Sequence, residues 1–324
     1  MKAAVLGPAG IEIHDLEKPA PKPNEVLIRV RASALNRADL IVASGHRHGA
    51  VGGVGARIGL ECAGEVEAIG SEVSSVRPGD RVMATAPGGL AEYAVTDFAR
   101  VHVIPANTMT YEQAAALPVA LGTMHNAIVT AGRLQRGETL LMQGASAGVG
   151  LMGMQIAKLM GASLVMGAST NPERRARLRE FGCDLALDST SPGWPDQVKE
   201  ATGGRGVDVI IDLVSAAVAN QNLAAASILG RIVNVGRLGG MKGEFDFDLH
   251  AAKRIDYIGV TFRTRTIEEI REINRLMRAD LWGALKAGKL ALPIFKTFPL
   301  ARIAEALDLM RANQHFGKIA IAMS

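Results

Sequence analysis

The chain has 324 residues, of which 48% are hydrophobic, with 36 glycines and only 13 prolines, so we expect two globular domains with many tight turns. Its net charge is +4, and its 36 Lys and Arg residues are scattered among 32 acidic residues. Aromatic residues make up only 4%, and both features argue against nucleic-acid binding. Two cysteines, Cys62 and Cys183, argue against a disulfide framework, and the early charged residues argue against a signal peptide. We therefore expect a cytoplasmic protein.

The first part of the chain, to about residue 118, is rich in predicted strands. "MKAAVLGPAGIEIHDLE" is typical of a hairpin, and "EVLIRVRASAL" (25–35) alternates apolar and polar residues as a half-buried strand does. "CAGEVEAIG" and "DRVMATA" repeat this pattern on either side of the turn "RPGD" (77–80). Short strands with Gly and Pro turns predict a barrel-like or sandwich-like unit.

From about residue 137, strands alternate with helices. Apolar strands are predicted at 138–143, 163–168, 184–188, 207–214, 231–236 and 256–260. A helix is predicted over 171–182, which has Pro near its start and Gly at its end. Short apolar strands joined by helices predict an α/β fold with a Rossmann-type, doubly wound parallel sheet. The tail adds an amphipathic helix at 266–288 and a last strand at 318–323.

One nearly uncharged stretch, residues 144–168, is long enough to span a bilayer. Its glycines occur where turns between a strand and a helix are expected, and Lys158 lies inside it. We interpret it as a buried strand–helix–strand segment and expect no membrane partner.

The same stretch contains a glycine-rich turn, "QGASAGVG" (143–150), between a predicted strand and a predicted helix. Backbone N–H groups at such a turn, together with the positive end of the helix, attract a pyrophosphate. The strict G-x-G-x-x-G pattern fails, because Ala145 and Ala147 occupy its first two glycine positions while Gly150 fills the third. The context nevertheless favours a dinucleotide site over a packed unit without ligand. Its expected contacts are Gly144, Ser146, Ala147, Gly148, Val149 and Gly150.

The end of the second strand indicates which dinucleotide binds. An NAD site places Asp or Glu there to bind the ribose 2′-hydroxyl, whereas this chain has Ala168, Ser169 and Thr170. Arg174 follows shortly afterwards, and a hydroxyl with a cation suits a 2′-phosphate. We expect NADPH as the cofactor; the alternative is that Arg174 is an ordinary solvated helix residue.

Taken together, the motifs resemble those of the medium-chain dehydrogenases/reductases, and most closely the quinone oxidoreductase branch. The motifs that carry the resemblance, in chain order, are "LNRADLIVASG", "GLECAGEVEAIG", "VRPGDRV", "GGLAEYAV", "AAALPVALGTMHNAI", "GASAGVG", "VNVGRLGG" and "FGKIAI". The resemblance implies a GroES-like substrate domain over residues 1–120 and 265–324, and a Rossmann dinucleotide-binding domain over 121–264.

The resemblance also implies further site residues. Additional cofactor contacts would come from Thr123, Gly236, Leu238, Phe262 and Lys318. Candidates for the substrate pocket are Asn36, Ile41, Arg47 and Glu61. Many quinone oxidoreductases carry two tyrosines in the loop matching 41–47, where this chain has Ile41 and Arg47. Arg47 then either has a role in the pocket, where it would stabilise a developing oxyanion or bind an anionic group of the substrate, or is a solvated loop residue.

A metal site is not expected. The zinc-dependent members of the superfamily carry a Cys and a G-H-E motif, where this chain has Asn36-Arg37 and Gly59-Leu60-Glu61. A zinc site needs three or four converging ligands, and Glu61 alone does not supply them. The alternative set, His46 and His48 with Cys62, is less favoured because loop histidines are common.

The resemblance implies that NADPH passes a hydride to a quinone without a metal, and this is our leading functional expectation. The alternative within the fold is a reductase of enones or enoyl thioesters, and an alternative of another class is an NADPH-binding protein without turnover. Because the strand "DYIGV" (256–260) would be an uncovered sheet edge, we also expect a homodimer.

Overall fold

The structure is a computed structural model that describes residues 1–8, 10–47, 49, 52–105 and 109–323. The chain divides into two compact units. Unit 1 comprises residues 1–122 and 262–324, and unit 2 comprises residues 123–261. The sequence-based domain boundaries, 120/121 and 264/265, lie within a few residues of these divisions.

Strands dominate the first third of the chain, and helices become frequent after it. The strands are β1 (Lys2–Gly7), β2 (Gly10–Asp15), β3 (Glu25–Ala34), β4 (Glu61–Ile69), β5 (Arg81–Thr85), β6 (Tyr93–Asp97), β7 (Val101–Val103), β8 (Thr139–Gln143), β9 (Leu164–Ser169), β10 (Leu185–Asp188), β11 (Val207–Asp212), β12 (Ala226–Asn234), β13 (Asp256–Gly259), β14 (Ile294–Pro299) and β15 (Lys318–Ala322). The helices are α1 (Arg37–Ala43), α2 (Tyr111–Ala115), α3 (Pro118–His125), α4 (Gly148–Leu159), α5 (Pro172–Ala176), α6 (Trp194–Ala201), α7 (Ala219–Ala225), α8 (Phe247–Lys253), α9 (Ile267–Lys286) and α10 (Ile303–Arg311).

Unit 1 is built around a mixed sheet with strand order β14-β15-β3-β4-β5-β7, and β6 also pairs with β3. The predicted N-terminal hairpin is present as β1 paired antiparallel with β2. In β3 the apolar side chains of Val26, Ile28 and Val30 are buried against those of the neighbouring strands. The C-terminal strand β15 lies between β14 and β3, so the two chain segments of unit 1 share one sheet.

Unit 2 is a parallel sheet with strand order β10-β9-β8-β11-β12-β13. The order departs from β8 in both directions, which is the doubly wound arrangement expected from the sequence and confirms the predicted fold class. Its core packs Leu141, Ile210 and Ile232 of the sheet with Trp194 and Leu223 of the helices. Since parallel strands end at the same edge, the residues that follow β8 and β9 are brought together.

Two elements of unit 2 differ from the sequence prediction. The helix expected over 171–182 is divided into α5 and a 3₁₀ turn at Leu178–Phe181. Strand β12 begins at Ala226 rather than 231, because Ala226 pairs with Val207 before the strand bulges and resumes at Arg231. In unit 1, by contrast, the helix predicted at 266–288 is present as α9.

One continuous helical stretch, Tyr111–Ala131, is long and apolar enough to cross a membrane by length and composition, and 72% of its most apolar window is buried within the fold. It includes α2 and α3 and ends in a π-helical turn at Asn126–Ala131. Buried core helices pass the same test, so this feature alone does not indicate a membrane span.

Candidate functional site

The glycine-rich turn of unit 2 lies where β8 ends and α4 begins. Gly144 adopts a φ of 71°, which favours glycine, and reverses the chain directly after the strand. Ala147 precedes the first turn of α4, and no side chain caps that end of the helix. The first N–H groups of α4 therefore have no acceptor from a capping side chain, as pyrophosphate binding at this turn would require.

Gly150 is held in this turn by close backbone packing. A Cβ at this position would lie 2.7 Å from the carbonyl oxygens of both Gly144 and Ala145. Only glycine fits without moving the turn, which agrees with its expected place as the third glycine of the motif. Gly148 and Val149 are the first two residues of α4.

The hydroxyl groups of Ser146 and Ser169 meet at the carboxyl edge of the sheet, with 3.1 Å between their oxygen atoms. Ser169 is the last residue of β9, and Ser146 belongs to the glycine-rich turn. The structure thus brings together two hydroxyls that are 23 positions apart in sequence, both expected among the cofactor contacts.

Two arginines, Arg174 and Arg175, follow Ser169 in the sequence, and they make different hydrogen bonds. Arg175 donates to the Ser169 carbonyl at 2.9 Å and pairs with Asp188 at 3.0 Å. The backbone N–H of Arg174 is capped by the Asn171 side chain at 2.9 Å. Burial lowers the pKa of Arg174 from its usual value. Asp188 pairs with Ser169 in the register between β10 and β9. It was not among the site residues predicted from the sequence, although an acidic residue at the end of a predicted strand could have indicated it.

The other expected contacts of unit 2 lie on separate segments. Gly236 follows β12, and a Cβ there would lie 2.5 Å from the Leu213 carbonyl oxygen, so this backbone approach also requires glycine. The Leu238 side chain is exposed, while its N–H donates to Leu213. Thr123 lies in α3, at the first position of unit 2.

Unit 1 contains a second polar centre, made by Glu61, Lys318 and Asn36. The Lys318 ammonium donates to Glu61 Oε1 at 2.6 Å and to Asn36 Oδ1 at 2.8 Å. Asn36 Nδ2 donates to Glu61 Oε1 at 2.9 Å, and the backbone N–H of Val119 donates to Glu61 Oε2 at 2.8 Å. Both carboxylate oxygens of the fully buried Glu61 are therefore occupied.

This cluster changes what Asn36 offers to a substrate. Its Nδ2 group donates to Glu61 and, at 3.3 Å, to the Ala34 carbonyl, while its Oδ1 accepts from Lys318. An amide nitrogen carries two N–H donors, so both are already used. Asn36 therefore acts in this structure as a connector between Glu61 and Lys318.

Asp39 is a further buried carboxyl group that was not predicted as a site residue. Its Oδ2 accepts from the Asn36 backbone N–H at 2.7 Å at the start of α1. Burial raises the pKa of Asp39 to about 7, and the Lys318 charge opposes this increase. The spacing Asn-x-x-Asp in "NRAD", which is typical of a helix start, was the signal available in the sequence.

The remaining expected residues of unit 1 are dispersed. Ile41 is partly buried in α1, and Arg47 and Phe262 are exposed. Cys62 is fully buried, and burial raises the pKa of its thiol to about 12, so it remains a protonated core residue at neutral pH. His48 lies outside the described residues.

Two family models match this chain. The description "alcohol dehydrogenase GroES-like domain" matches residues 22–106, and "zinc-binding dehydrogenase" matches residues 148–279. The first falls on unit 1, and the second begins at α4. The chain belongs to the medium-chain dehydrogenase/reductase superfamily. Both family descriptions name dehydrogenases.

Curated relatives of this chain include two large synthetases. It is 30% identical over 325 residues to a hybrid PKS-NRPS synthetase of Aspergillus violaceofuscus, and 29% identical over 328 residues to a mycocerosic acid synthase-like polyketide synthase of Mycolicibacterium smegmatis. These alignments include 96% and 99% of this chain. The chain spans only 8% and 15% of the length of those relatives.

Solved structures of similar size match this chain from end to end. The CurK enoyl reductase has 25% identity and a TM-score of 0.87, covering 100% of this chain and 99% of that one. A quinone oxidoreductase of Pseudomonas syringae has 27% identity and a TM-score of 0.86, covering 99% and 100%. A mycobacterial protein solved with NADPH has 26% identity and a TM-score of 0.86, again covering 99% and 100%.

One matching family description names zinc, and the donor set in the described part of the chain does not fit that ion. Within residues 1–8, 10–47, 49, 52–105 and 109–323, no group of three or more His, Cys, Asp or Glu side chains is placed to hold a metal. The Glu61 carboxylate is committed to Lys318, Asn36 and Val119, and the Cys62 thiol is protonated. A zinc site would need several such side chains to be deprotonated and to meet around a single ion.

Proposed function

We propose that this protein is an NADPH-dependent reductase that adds hydride to a carbon–carbon double bond conjugated to a carbonyl group, without a metal. The observation that carries the proposal is the occupied Glu61 carboxylate, which is bonded through both oxygens inside the Lys318–Asn36 cluster. A substrate reduced there has to be electron-poor by itself, and conjugated alkenes and quinones meet this requirement. NADPH, when bound, supplies the hydride.

The preference for NADPH is supported by the charges around Ser169. No carboxylate stands at 168–170, and the nearby Asp188 carboxylate is paired with Arg175. This pairing offsets a negative charge that would repel a 2′-phosphate. We propose the Ser146–Ser169 hydroxyl pair as the 2′-phosphate site, and we assign Arg174, which follows Ser169 by five residues, as the cation that pairs with this phosphate.

The choice of acceptor rests on the relatives. The CurK enoyl reductase supports an enoyl acceptor, and the loop at 41–47 lacks the tyrosines of many quinone oxidoreductases. A quinone is the second candidate acceptor, because the Pseudomonas syringae quinone oxidoreductase is equally similar over its whole length. The sequence motifs favoured the quinone as the leading acceptor; we propose the enoyl acceptor first and keep the quinone as the second candidate.

The oxygen of the developing enolate needs a donor. Asn36 has both of its N–H donors engaged, whereas the exposed guanidinium of Arg47 lies on the loop after α1. We therefore assign Arg47, rather than Asn36, to stabilise the enolate oxygen or an anionic group of the substrate.

The deciding experiment measures NADPH and NADH oxidation in metal-free buffer with EDTA, against an enoyl thioester, a simple enone and a simple quinone. We expect NADPH oxidation with the enoyl thioester that survives EDTA, and a loss of roughly tenfold in kcat/KM for NADPH, but not NADH, in Arg174→Gln. Arg177→Gln, on the adjacent exposed turn, is the matched control. Turnover with the quinone alone would transfer the assignment to the second candidate, and loss of activity with EDTA would refute the metal-free reaction.

A further inference from the structure

A cleft of about 390 Å³ lies in unit 2, away from the glycine-rich turn. It is lined by residues next to the first residues of β11 and β12, including Arg205 and Ala226. The glycine-rich turn instead follows the last residue of β8. Because these strands are parallel, the cleft and the turn lie at opposite edges of the sheet, and the cleft does not belong to the cofactor site.

One wall of the cleft is apolar and unusually exposed. Ile228, which lines it, and the adjacent Leu229 have 61% and 62% of their surface exposed. They belong to a bulge of β12, where residues 227–230 stand opposite Asp208 alone. Leu229 adopts a left-handed backbone with a φ of 62°, which side chains other than glycine rarely take. Exposed apolar residues held in a strained turn are characteristic of contact surfaces.

Three cations, Lys199, Arg205 and Lys253, also line the cleft, and none of its eight described lining residues is acidic. The Lys253 ammonium is fixed by three backbone carbonyls, each at 2.8 Å. Burial lowers the pKa of Lys253, and the positive charge of Lys199 lowers it further. Like charges are thus held close together within the cleft.

Among the described residues, the ion pairs of the other two cations are long. Lys199 lies 3.4 Å from the exposed Asp196 carboxylate, and Arg205 lies 3.8 Å from Asp208. The Lys199 and Arg205 side chains are themselves 42% and 65% exposed, and ion pairs of this length contribute little, so both side chains can turn towards an anion in the cleft. An anion there would relieve the repulsion between Lys199 and Lys253.

We propose that this cleft is a second ligand site, which binds a small anion carried on an apolar chain. The anionic head, a carboxylate or a phosphate, pairs with Lys199 and Arg205. The chain lies along Ile228, Ala226 and Leu249. This inference does not depend on the reductase activity proposed above.

The test is isothermal titration of the full chain with octanoate, octyl phosphate and octan-1-ol, in the presence and absence of NADPH. We expect saturable binding of at least one anion that NADPH does not prevent, and octanol binding at least about tenfold weaker. Comparison of the two anions distinguishes a carboxylate from a phosphate ligand. No saturable binding of either anion, equal binding of octanol, or displacement of the anion by NADPH would each overturn the proposal.

Variants locate the site. Lys199→Gln with Arg205→Gln should weaken anion binding by about tenfold, and Ile228→Ser should weaken both anions, while Arg136→Gln, an exposed cation elsewhere in unit 2, should have no effect. Circular dichroism melts check that the variants remain folded. Unchanged binding in the double variant refutes the site. If sedimentation shows that Ile228→Ser dissociates an oligomer, the surface is instead a contact between copies of this chain, and the proposal fails.

Discussion

Replacing Lys318 by methionine is expected to destabilise unit 1 strongly. The change removes the ammonium that lies 2.6 Å from Glu61, whose side chain has no exposed surface. The carboxylate would then be buried with only neutral donors. Removing one partner of a buried ion pair typically costs about 3–5 kcal/mol, because the other charge is left uncompensated. We expect a loss in this range for Lys318→Met.

The chain permits a measurement specific to unit 1, since it has two tryptophans, Trp194 in unit 2 and Trp282 in unit 1. In a Trp194→Phe background, the fluorescence of Trp282 during urea unfolding reports on unit 1. Lys318→Met combined with Glu61→Gln removes both charges. This double variant should therefore recover at least about 2 kcal/mol of the loss, which is the coupling expected between contacting residues.

A surface pair in the same unit gives the matched control. Lys18 and Glu67 also form a short ion pair, at 2.5 Å, but their side chains are 43% and 34% exposed. Lys18→Met should cost no more than about 1 kcal/mol. If Lys318→Met is as mild as Lys18→Met, or if the Glu61→Gln change fails to rescue it, the buried-charge explanation is wrong.

Three further outcomes are expected. Because burial raises the pKa of Asp39 from 3.8 to about 7, the folded protein retains a proton that the unfolded chain releases, so stability should fall by up to ~4 kcal/mol as pH rises across that window. In Asp39→Asn, urea unfolding at several pH values should lack this fall. Gly150→Ala should cost roughly 1–3 kcal/mol through its backbone clash and weaken NADPH binding, whereas Gly283→Ala, in open space on α9, should be neutral or stabilising in thermal melts. We also propose that the chain dimerises beside the edge strand β13, where the 74% exposed Phe247 packs in an aromatic group with Phe245; Phe247→Asp should then sediment as a monomer, and a monomeric wild type at micromolar concentration would refute this pairing.

The Rossmann-type sheet could be predicted from sequence because its strands are short apolar runs separated by helical segments. Each predicted strand is present, and boundaries shift mainly where pairing extends a strand, as for Ala226 against Val207. Local patterns carry this information, since a buried parallel strand has to be apolar on both faces.

The polar cluster of unit 1 could not be predicted in the same way. Glu61 and Lys318 are separated by 257 positions, and no periodicity links them. The resemblance to a family placed both residues near a site, but their direct contact depends on β15 pairing beside β3. Likewise, the neutralisation of Asp188 by Arg175 depends on the register between β9 and β10, which the sequence does not display.

The position of β15 within its sheet has a consequence for the order of folding during synthesis. Unit 2 is one continuous segment, whereas unit 1 needs residues from both sides of it. A ribosome therefore releases all of unit 2 before β15, and the sheet of unit 1 has no strand between β14 and β3 until then. Throughout that interval Glu61 has no lysine partner. We expect the nascent first segment to be the part of the chain most in need of chaperones.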